Sequence, residues 1–279
     1  AGKGSGFTDD AYKKTGAVLC SKSEICEQSR LILKIKEPLF EEYEIFKPGQ
    51  MLFTFFHFAS NIELTEAMLN ASIICIAYET VETKEGTVPL LAPMSIVAGK
   101  MAAIAAANYL SKPFGGKGLL ASPVNQSKPA RFLILGGGNA GKAAAEIALG
   151  IGADVTIIEK SEINIKTLKD QFPKVSLVVS TAQNISSHVA KSDAVIGTIH
   201  LPGARPPKLV TREMIKTMEK GSVLVDVAID QGGCFETSRP TTHSSLTYIE
   251  EGMVHYCVSN MPGAFPRSAP LCNRTGRKR

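Results

Sequence analysis

Residues 131–160 read RFLILGGGNAGKAAAEIALGIGADVTIIEK. An apolar run ends in three glycines, an alanine-rich segment follows, and a second apolar run closes on Glu159. The strand expected over Phe132–Leu135 feeds Gly136-x-Gly138-x-x-Gly141, and a helix is expected to begin there. In such a turn the first glycine permits a tight bend and the second lets the backbone approach a pyrophosphate. The third lets the helix pack closely on the strand. The helix N-terminus adds unpaired N–H groups and a partial positive charge, and Asn139 and Ala140 complete the loop that offers them. Glycine turns between strand and helix are common, but Glu159 gives this one a context. It follows Gly141 by 18 residues, where an acid accepts hydrogen bonds from an adenosine ribose and repels a 2′-phosphate. The stretch points to NAD rather than NADP, with the neighbouring Lys160 acting slightly against that preference.

Outward from this stretch the pattern stays regular. Strands are expected at 154–158, 175–179, 193–197, 222–227 and 253–258, and helical segments fill most of the gaps. Buried runs spaced by helices imply a parallel sheet covered on both faces. Before residue 94 the runs LILKIK (31–36), MLFTFF (51–56) and SIICIAYE (72–79) read as strands, with helical spacing in ELTEAML (63–69). The first run stops at Glu37-Pro38, since a residue before proline is pushed from helical geometry. The fold class expected is α/β, with two Rossmann-like doubly wound parallel-sheet domains, the first incomplete. MSIVAGKMAAIAAANYL (94–110) reads as a connector helix with Ser95 at its cap position. The expected domains are 1–93, a partial substrate-binding domain, and 94–267, an NAD-binding domain. An aberrant basic tail follows at 268–279.

Composition narrows the function classes. The formal charge is +5, but Arg274, Arg277, Lys278 and Arg279 lie in the tail, so the body is nearly neutral. A short basic end reads as solvated rather than as a nucleic-acid site. No apolar run approaches bilayer length and no signal peptide opens the chain, so no membrane partner is expected. The six cysteines show no metal-ligand spacing, so no metal is expected, and buried free thiols in a reducing cytoplasm are the expected state.

Three places outside the glycine loop carry candidate chemistry. Lys34 and Lys36 share one face of the strand LILKIK by its two-residue alternation. Lys36, at the strand end, is the better placed to reach a substrate. His57 ends the apolar run MLFTFFH; a lone histidine there is commonly a hydrogen-bonded core residue, yet at a strand end it suits proton transfer near neutral pH. In VDVAIDQGGCFETSRPTTH (225–243) Asp226 and Asp230 flank a strand end. Ligands of open α/β sheets collect at such ends, although either acid could simply cap a turn. His188, His200, His243 and His255 read as structural.

Taken together, LKIKEPL, GQMLFTFFHFA, AYETVE, PLLAPMSIVAGKMA, LGGGNAGKAAA, PGARPPKLVTREMI, VDVAIDQGGCFETSRPTTHS and VHYCVSNMPGAFPR resemble the alanine dehydrogenase family, collinearly from about Gly2 to Arg267. The resemblance implies NAD-dependent oxidative deamination of L-alanine to pyruvate and ammonia, and its reverse. It implies that Lys36 binds substrate, that His57 is the catalytic acid/base, and that Asp230 assists proton transfer beside the nicotinamide. Around the cofactor it implies contacts from Ser95, Gly136, Gly138, Asn139, Ala140, Gly141, Glu159, Ser180 and Ile199. Val227, Ala228, Ile229, Val258, Asn260 and Met261 are implied as well. It further implies a cytoplasmic homohexamer. The transhydrogenase NAD-binding subunit is similar, but PMSIVAGKMAAIA stands where its Arg-Gln-Asp loop is expected.

Two departures from the family pattern carry expectations of their own. The family places a strand and a substrate-binding Arg before AGKGSGFTDD, and a Thr-Ser-rich segment with returning helices after Arg267. Without them an unpaired sheet edge and bare apolar surface are expected in the first domain, together with NAD binding but poor turnover. A non-catalytic NAD-binding remnant is therefore the alternative reading.

Overall fold

The computed structural model describes residues 2–269. The chain divides into two units. The second is Ser95–Leu201 with Arg205–Ala264, and the first comprises the described residues before Ser95, Pro202–Ala204 and those from Phe265 on. The expected tail lies, from residue 270 onward, outside the described residues.

In the first unit, the helix α1 (Asp9–Lys14) is capped by Thr8, and α2 (Lys22–Gln28) by a reciprocal box between Ser21 and Glu24. The strands β1 (Leu31–Leu33), β2 (Met51–Thr54) and β3 (Ile74–Ala77) pair in parallel in the order β1-β2-β3, with α3 (Ile62–Asn70) between the last two. Alternation sends Ile32 and Leu52 to one face, where Cys26 of α2 and Leu64 and Met68 of α3 cover them with Phe46 and Phe56. The opposite face keeps Leu31, Leu33 and Ile74 at 47%, 66% and 53% exposure. The expected strand 31–36 ends at Leu33. Lys34 still donates its N–H to Phe53 O at 3.0 Å, but the chain then bends towards Glu37-Pro38, so Lys34 and Lys36 share no strand face.

The second unit is built on a seven-stranded sheet. Its strands are β4 (Arg131–Leu135), β5 (Asp154–Glu159), β6 (Ser176–Val179), β7 (Ala194–Gly197), β8 (Val223–Asp226), β9 (Thr247–Glu250) and β10 (Met253–Tyr256), in the order β6-β5-β4-β7-β8-β10-β9. All pairings are parallel except β10 with β9. Phe132 and Ile134 enter one core with the alanines of α4 (Ala92–Tyr109) and α5 (Asn139–Gly150) and with Leu168 of α6 (Glu162–Gln171). Leu133 and Leu135 enter the other, beneath Ile185 and Val189 of α7 (Ala182–Val189) and Ile215 of α8 (Arg212–Lys216). The sheet is doubly wound, as the uninterrupted apolar strands imply.

Two details depart from expectation. The helix expected at 94–110 starts at Ala92, which places Pro93 in its first turn, where no N–H bond is lost, and puts Ser95 inside the helix rather than at its cap. The antiparallel strand β9 was not anticipated. It joins β10 through Glu251 and Gly252, both at positive φ (52° and 82°), the two-residue hairpin turn usually signalled by Asn-Gly. Among the described residues no helix is long and apolar enough to cross a membrane.

The N-terminal edge of this sheet is stitched by charge. Asp193, 3% exposed, accepts Arg131 N at 2.7 Å and the Arg131 guanidinium at 3.1–3.2 Å. Lys117 Nζ lies 2.6 Å from both Asp193 and Glu219. Burial alone would raise the Asp193 carboxyl, but Arg131 and Lys117 override it and hold its pKa below the ordinary 3.8. A depressed carboxylate contributes its stabilisation in full above the unfolded pKa and loses it as pH falls through the folded one. Asp193→Asn is therefore expected to cost about 3 kcal/mol at neutral pH and to flatten the loss of stability below pH 3.8. Denaturant unfolding against pH measures both; an unchanged acid limb contradicts the assignment.

Candidate functional site

In the first unit three polar residues follow the carboxyl ends of three adjacent parallel strands: Lys36 after β1, His57 after β2 and Glu79 after β3. Strand ends of this kind are where open α/β sheets gather ligands. The two lysines separate. Lys34 Nζ lies 3.0 Å from Glu42, which is buried and also paired with Lys22 at 2.7 Å. Burial alone would raise Glu42, but Lys22, the Leu39 N–H and Lys34 bring its pKa down to about 2. Lys34 thus neutralises a core acid, whereas Lys36 keeps a partly exposed side chain 3.5 Å from Glu37.

His57 takes a left-handed backbone, φ 53° and ψ 39°, uncommon outside glycine although less so for His than for bulkier residues. Its ring stacks on Phe55 at 6.0 Å between centroids. Its Nδ1 is buried and finds no hydrogen-bond partner among the described residues, unlike a histidine serving only as a satisfied core residue. Its backbone N–H donates to Glu79 Oε1 at 2.7 Å.

In the second unit the glycine loop lies after β4, at the point where the strand order reverses between β4 and β7. Gly136 has φ 96°, which makes the tight bend. A Cβ at Gly138 would meet nothing within 4 Å, leaving open space over the loop, whereas one at Gly141 would collide with the Gly136 carbonyl. Each glycine thus has the environment its position in the motif requires. Asn139 and Ala140 open α5. Three contributors were not read from the sequence. A Cβ at Gly137 would press on the end of the Leu168 side chain and on the Glu159 carboxylate. Thr198, after β7, donates its hydroxyl to Leu135 O at 2.8 Å and Gly136 O at 2.9 Å. Asn164 of α6 donates to Gly137 O at 3.1 Å and Glu159 Oε2 at 3.0 Å. Ile199 lies against the same bend, next to Gly136.

Glu159 ends β5 and accepts the N–H groups of Gly137, Lys160 and Ser161 at 2.7–2.9 Å, besides Asn164. Burial alone would raise its carboxyl, but these donors more than offset burial and hold the pKa below its ordinary value. A carboxylate kept ionised next to the glycine loop is what recognition of ribose hydroxyls requires. Ser180 follows β6 and donates its N–H to Glu159 O at 2.9 Å. Ser95 lies in α4, whose Gly99 is packed so tightly on the Ala140 carbonyl that no side chain fits between them.

The loop after β8 is shaped by Asp226, which is fully buried. It accepts Ala228 N at 3.1 Å, Cys234 N at 2.8 Å and the Ser238 hydroxyl at 2.6 Å. Burial raises its pKa above the ordinary value, and the hydrogen bonds from Ser238, Cys234 and Phe235 offset that only in part. Asp226 therefore caps the turn Val227–Gln231, the structural role the sequence left open for it. Asp230, on that turn, accepts Asn260 N at 3.1 Å with both oxygens. Asn260 stands in a left-handed conformation after β10, between Val258 and Met261, both buried in the core. Val227, Ala228 and Ile229 complete the same loop.

The remaining candidates are structural or dispersed. His255 is fully buried, with Nε2 2.7 Å from Thr237 Oγ1, and burial lowers its pKa. Of the described cysteines, all free, Cys26, Cys234 and Cys257 are buried, whereas Cys20 is exposed, against the expectation of burial; Cys272 lies outside the described residues. Among the described residues no group of three or more His, Cys, Asp or Glu side chains is placed to hold a metal ion.

Comparison with known proteins places these features. A family model described as alanine dehydrogenase/PNT, C-terminal domain, matches residues 102–274, and its N-terminal counterpart matches residues 1–98. An alanine dehydrogenase of Halomonas elongata is 49% identical over 271 residues, covering 96% of this chain and 73% of its own length. The solved structure of an L-alanine dehydrogenase superposes with a TM-score of 0.86 at 42% identity, covering 98% of this chain and 76% of that one. A transhydrogenase from Sinorhizobium meliloti superposes at 0.78 with 26% identity, covering 98% and 79%.

The loop geometry makes a paired prediction within one helix. Gly→Ala in a helix interior ordinarily stabilises by up to about 1 kcal/mol. Gly150→Ala, with open space around it at the last residue of α5, is expected to stabilise by less than that. Gly141→Ala is expected to destabilise by about 2 kcal/mol or more, because the Gly136 carbonyl must move. Chemical denaturation measures both; equal effects contradict the close packing of α5 on β4.

Proposed function

The chain belongs to the alanine dehydrogenase/PNT family, and on that premise we propose that it catalyses the NAD-dependent oxidative deamination of L-alanine to pyruvate and ammonia, and the reverse reductive amination. The observation that carries this reading is the arrangement at the carboxyl ends of the parallel strands. Lys36 and His57, its Nδ1 buried without a partner, follow β1 and β2. The glycine loop and Asp230 follow β4 and β8, and Glu159 ends β5.

The residues fit the cofactor. The open space over Gly138 suits a pyrophosphate, the first turn of α5 supplies N–H groups to it, and the ionised Glu159 suits a ribose diol and disfavours a 2′-phosphate. When bound, NAD supplies the acceptor for the hydride that leaves Cα of the amino acid. Lys36 binds the substrate carboxylate through Nζ and polarises the keto oxygen in the reverse direction. His57 takes a proton from the water that adds to the substrate imine carbon and returns one to the departing amine, with Asp230 assisting. The sum balances: L-alanine, NAD⁺ and water give pyruvate, ammonium, NADH and a proton.

The transhydrogenase-like reading is weaker. Residues 93–105, where its Arg-Gln-Asp loop is expected, lie within the continuous helix α4. The buried free thiols Cys26, Cys234 and Cys257 support a reducing compartment, hence the cytoplasm. The homohexamer follows from the family resemblance.

The test is NADH formation from NAD⁺ and L-alanine by the parent chain and by His57→Ala. The variant is expected to lose at least ~10²-fold in kcat, while fluorescence titration shows NADH binding within about twofold of the parent. NADH binding without turnover in the parent favours the non-catalytic remnant. Turnover that survives the substitution removes His57 from the chemistry.

A further inference from the structure

Glu79 lies in the single turn Tyr78–Thr80 that follows β3 and is 4% exposed. A buried acid normally has a cation beside it. Glu79 has none within ion-pair distance among the described residues. Its carboxyl is instead applied to main chain 22 and 23 residues away. Oε1 accepts His57 N at 2.7 Å, and the two oxygens accept Phe56 N at 3.2 and 3.3 Å. Two successive N–H groups that converge in this way form a concavity suited to an acceptor oxygen, and Glu79 fills it from a neighbouring strand end.

Of the two residues held by this contact, His57 takes a left-handed backbone. A left-handed non-glycine residue persists only where its surroundings fix it. His57 also has no hydrogen bond to its ring among the described residues, Nδ1 being buried without a partner. A general base ordinarily takes its direction from a third group bonded to its ring. Here no such group bonds the buried Nδ1 among the described residues, and the ring stacks on Phe55, so its direction is set through the main chain. We infer that Glu79 is the positioning residue for His57: by accepting the Phe56 and His57 N–H groups it fixes the left-handed turn that aims the imidazole. The inference rests on the reading of His57 as the acid/base group for its catalytic consequence, but not for its structural one.

The test uses the full chain with Glu79→Ala, Glu79→Gln and Glu79→Asp. Alanine removes the acceptor, glutamine keeps one carbonyl oxygen within reach of both N–H groups, and aspartate withdraws the carboxyl by one methylene. Glu79→Ala is expected to lower kcat about 100-fold while the Kd for NADH stays within about twofold, and Glu79→Gln to recover at least tenfold of that loss. A general loss of structure would not give this split. A second readout does not need turnover: the His57 imidazole resonance, assigned by its absence in His57→Ala, moves in Glu79→Ala and returns in Glu79→Gln, while those of the other four histidines stay in place. Should the alanine variant not fold, Glu79→Asp shows the same displacement in smaller degree. Should the parent lack His57-dependent turnover, the functional reading fails and the resonance alone decides the positioning role. A Glu79→Ala chain with kcat within threefold of the parent, or with an unmoved His57 resonance, overturns the inference.

Discussion

The first turn of α5 rests on the carbonyl of Gly136, and the nucleotide loop depends on that contact. Because Gly141 presents no side chain, the helix can close onto β4. Gly136 must then bend with φ 96°, and Thr198 from β7 ties off the carbonyls of Leu135 and Gly136. The same bend points the Gly137 N–H at Glu159, which fixes the acid next to the loop. Turn, helix terminus and acid are one construction, and displacing the helix would undo all three.

Strand direction then distributes the roles. Every candidate for chemistry or cofactor contact, apart from Ser95 on α4, lies at or after the carboxyl end of a parallel strand, in both units. The opposite edge of the large sheet is held by Lys117, Arg131 and Asp193, a network with a stabilising role. Buried acids divide in the same way. Glu42 and Asp193 are matched by cations. Asp226 and Glu79 instead accept main-chain N–H groups, and each shapes a loop carrying a proposed proton-transfer residue, Asp230 and His57 respectively. An acceptor of that kind orders a loop without adding a second charged side chain to it.

Much of this was legible in the sequence because it depends on local pattern. The six parallel strands of the second unit are apolar runs, and the three motif glycines sit at fixed offsets between a strand and an alanine-rich segment. The hairpin strand Thr247–Glu250 escaped notice because its turn is Glu-Gly, whose first residue rarely adopts positive φ. Ser95 was misplaced by three residues of helix, since Pro93 reads equally well before a helix and within its first turn. Lys34 and Lys36 looked alike until the bend after Leu33 separated them. Glu79, Thr198 and Asn164 could not be read at all. Each acts on main chain 22 to 63 residues away, and nothing in its own neighbourhood marks the partner.

The measurement that tests the reaction most directly is the fate of the α-hydrogen. L-alanine deuterated at Cα, incubated with the chain and NAD⁺, is expected to yield NADH carrying one deuterium at the nicotinamide, with pyruvate and ammonium in equal amounts. Mass spectrometry of the reduced cofactor reads the label. NADH formed without deuterium, or label washed into solvent with no cofactor reduced, would contradict hydride transfer from the amino acid and with it the proposed activity.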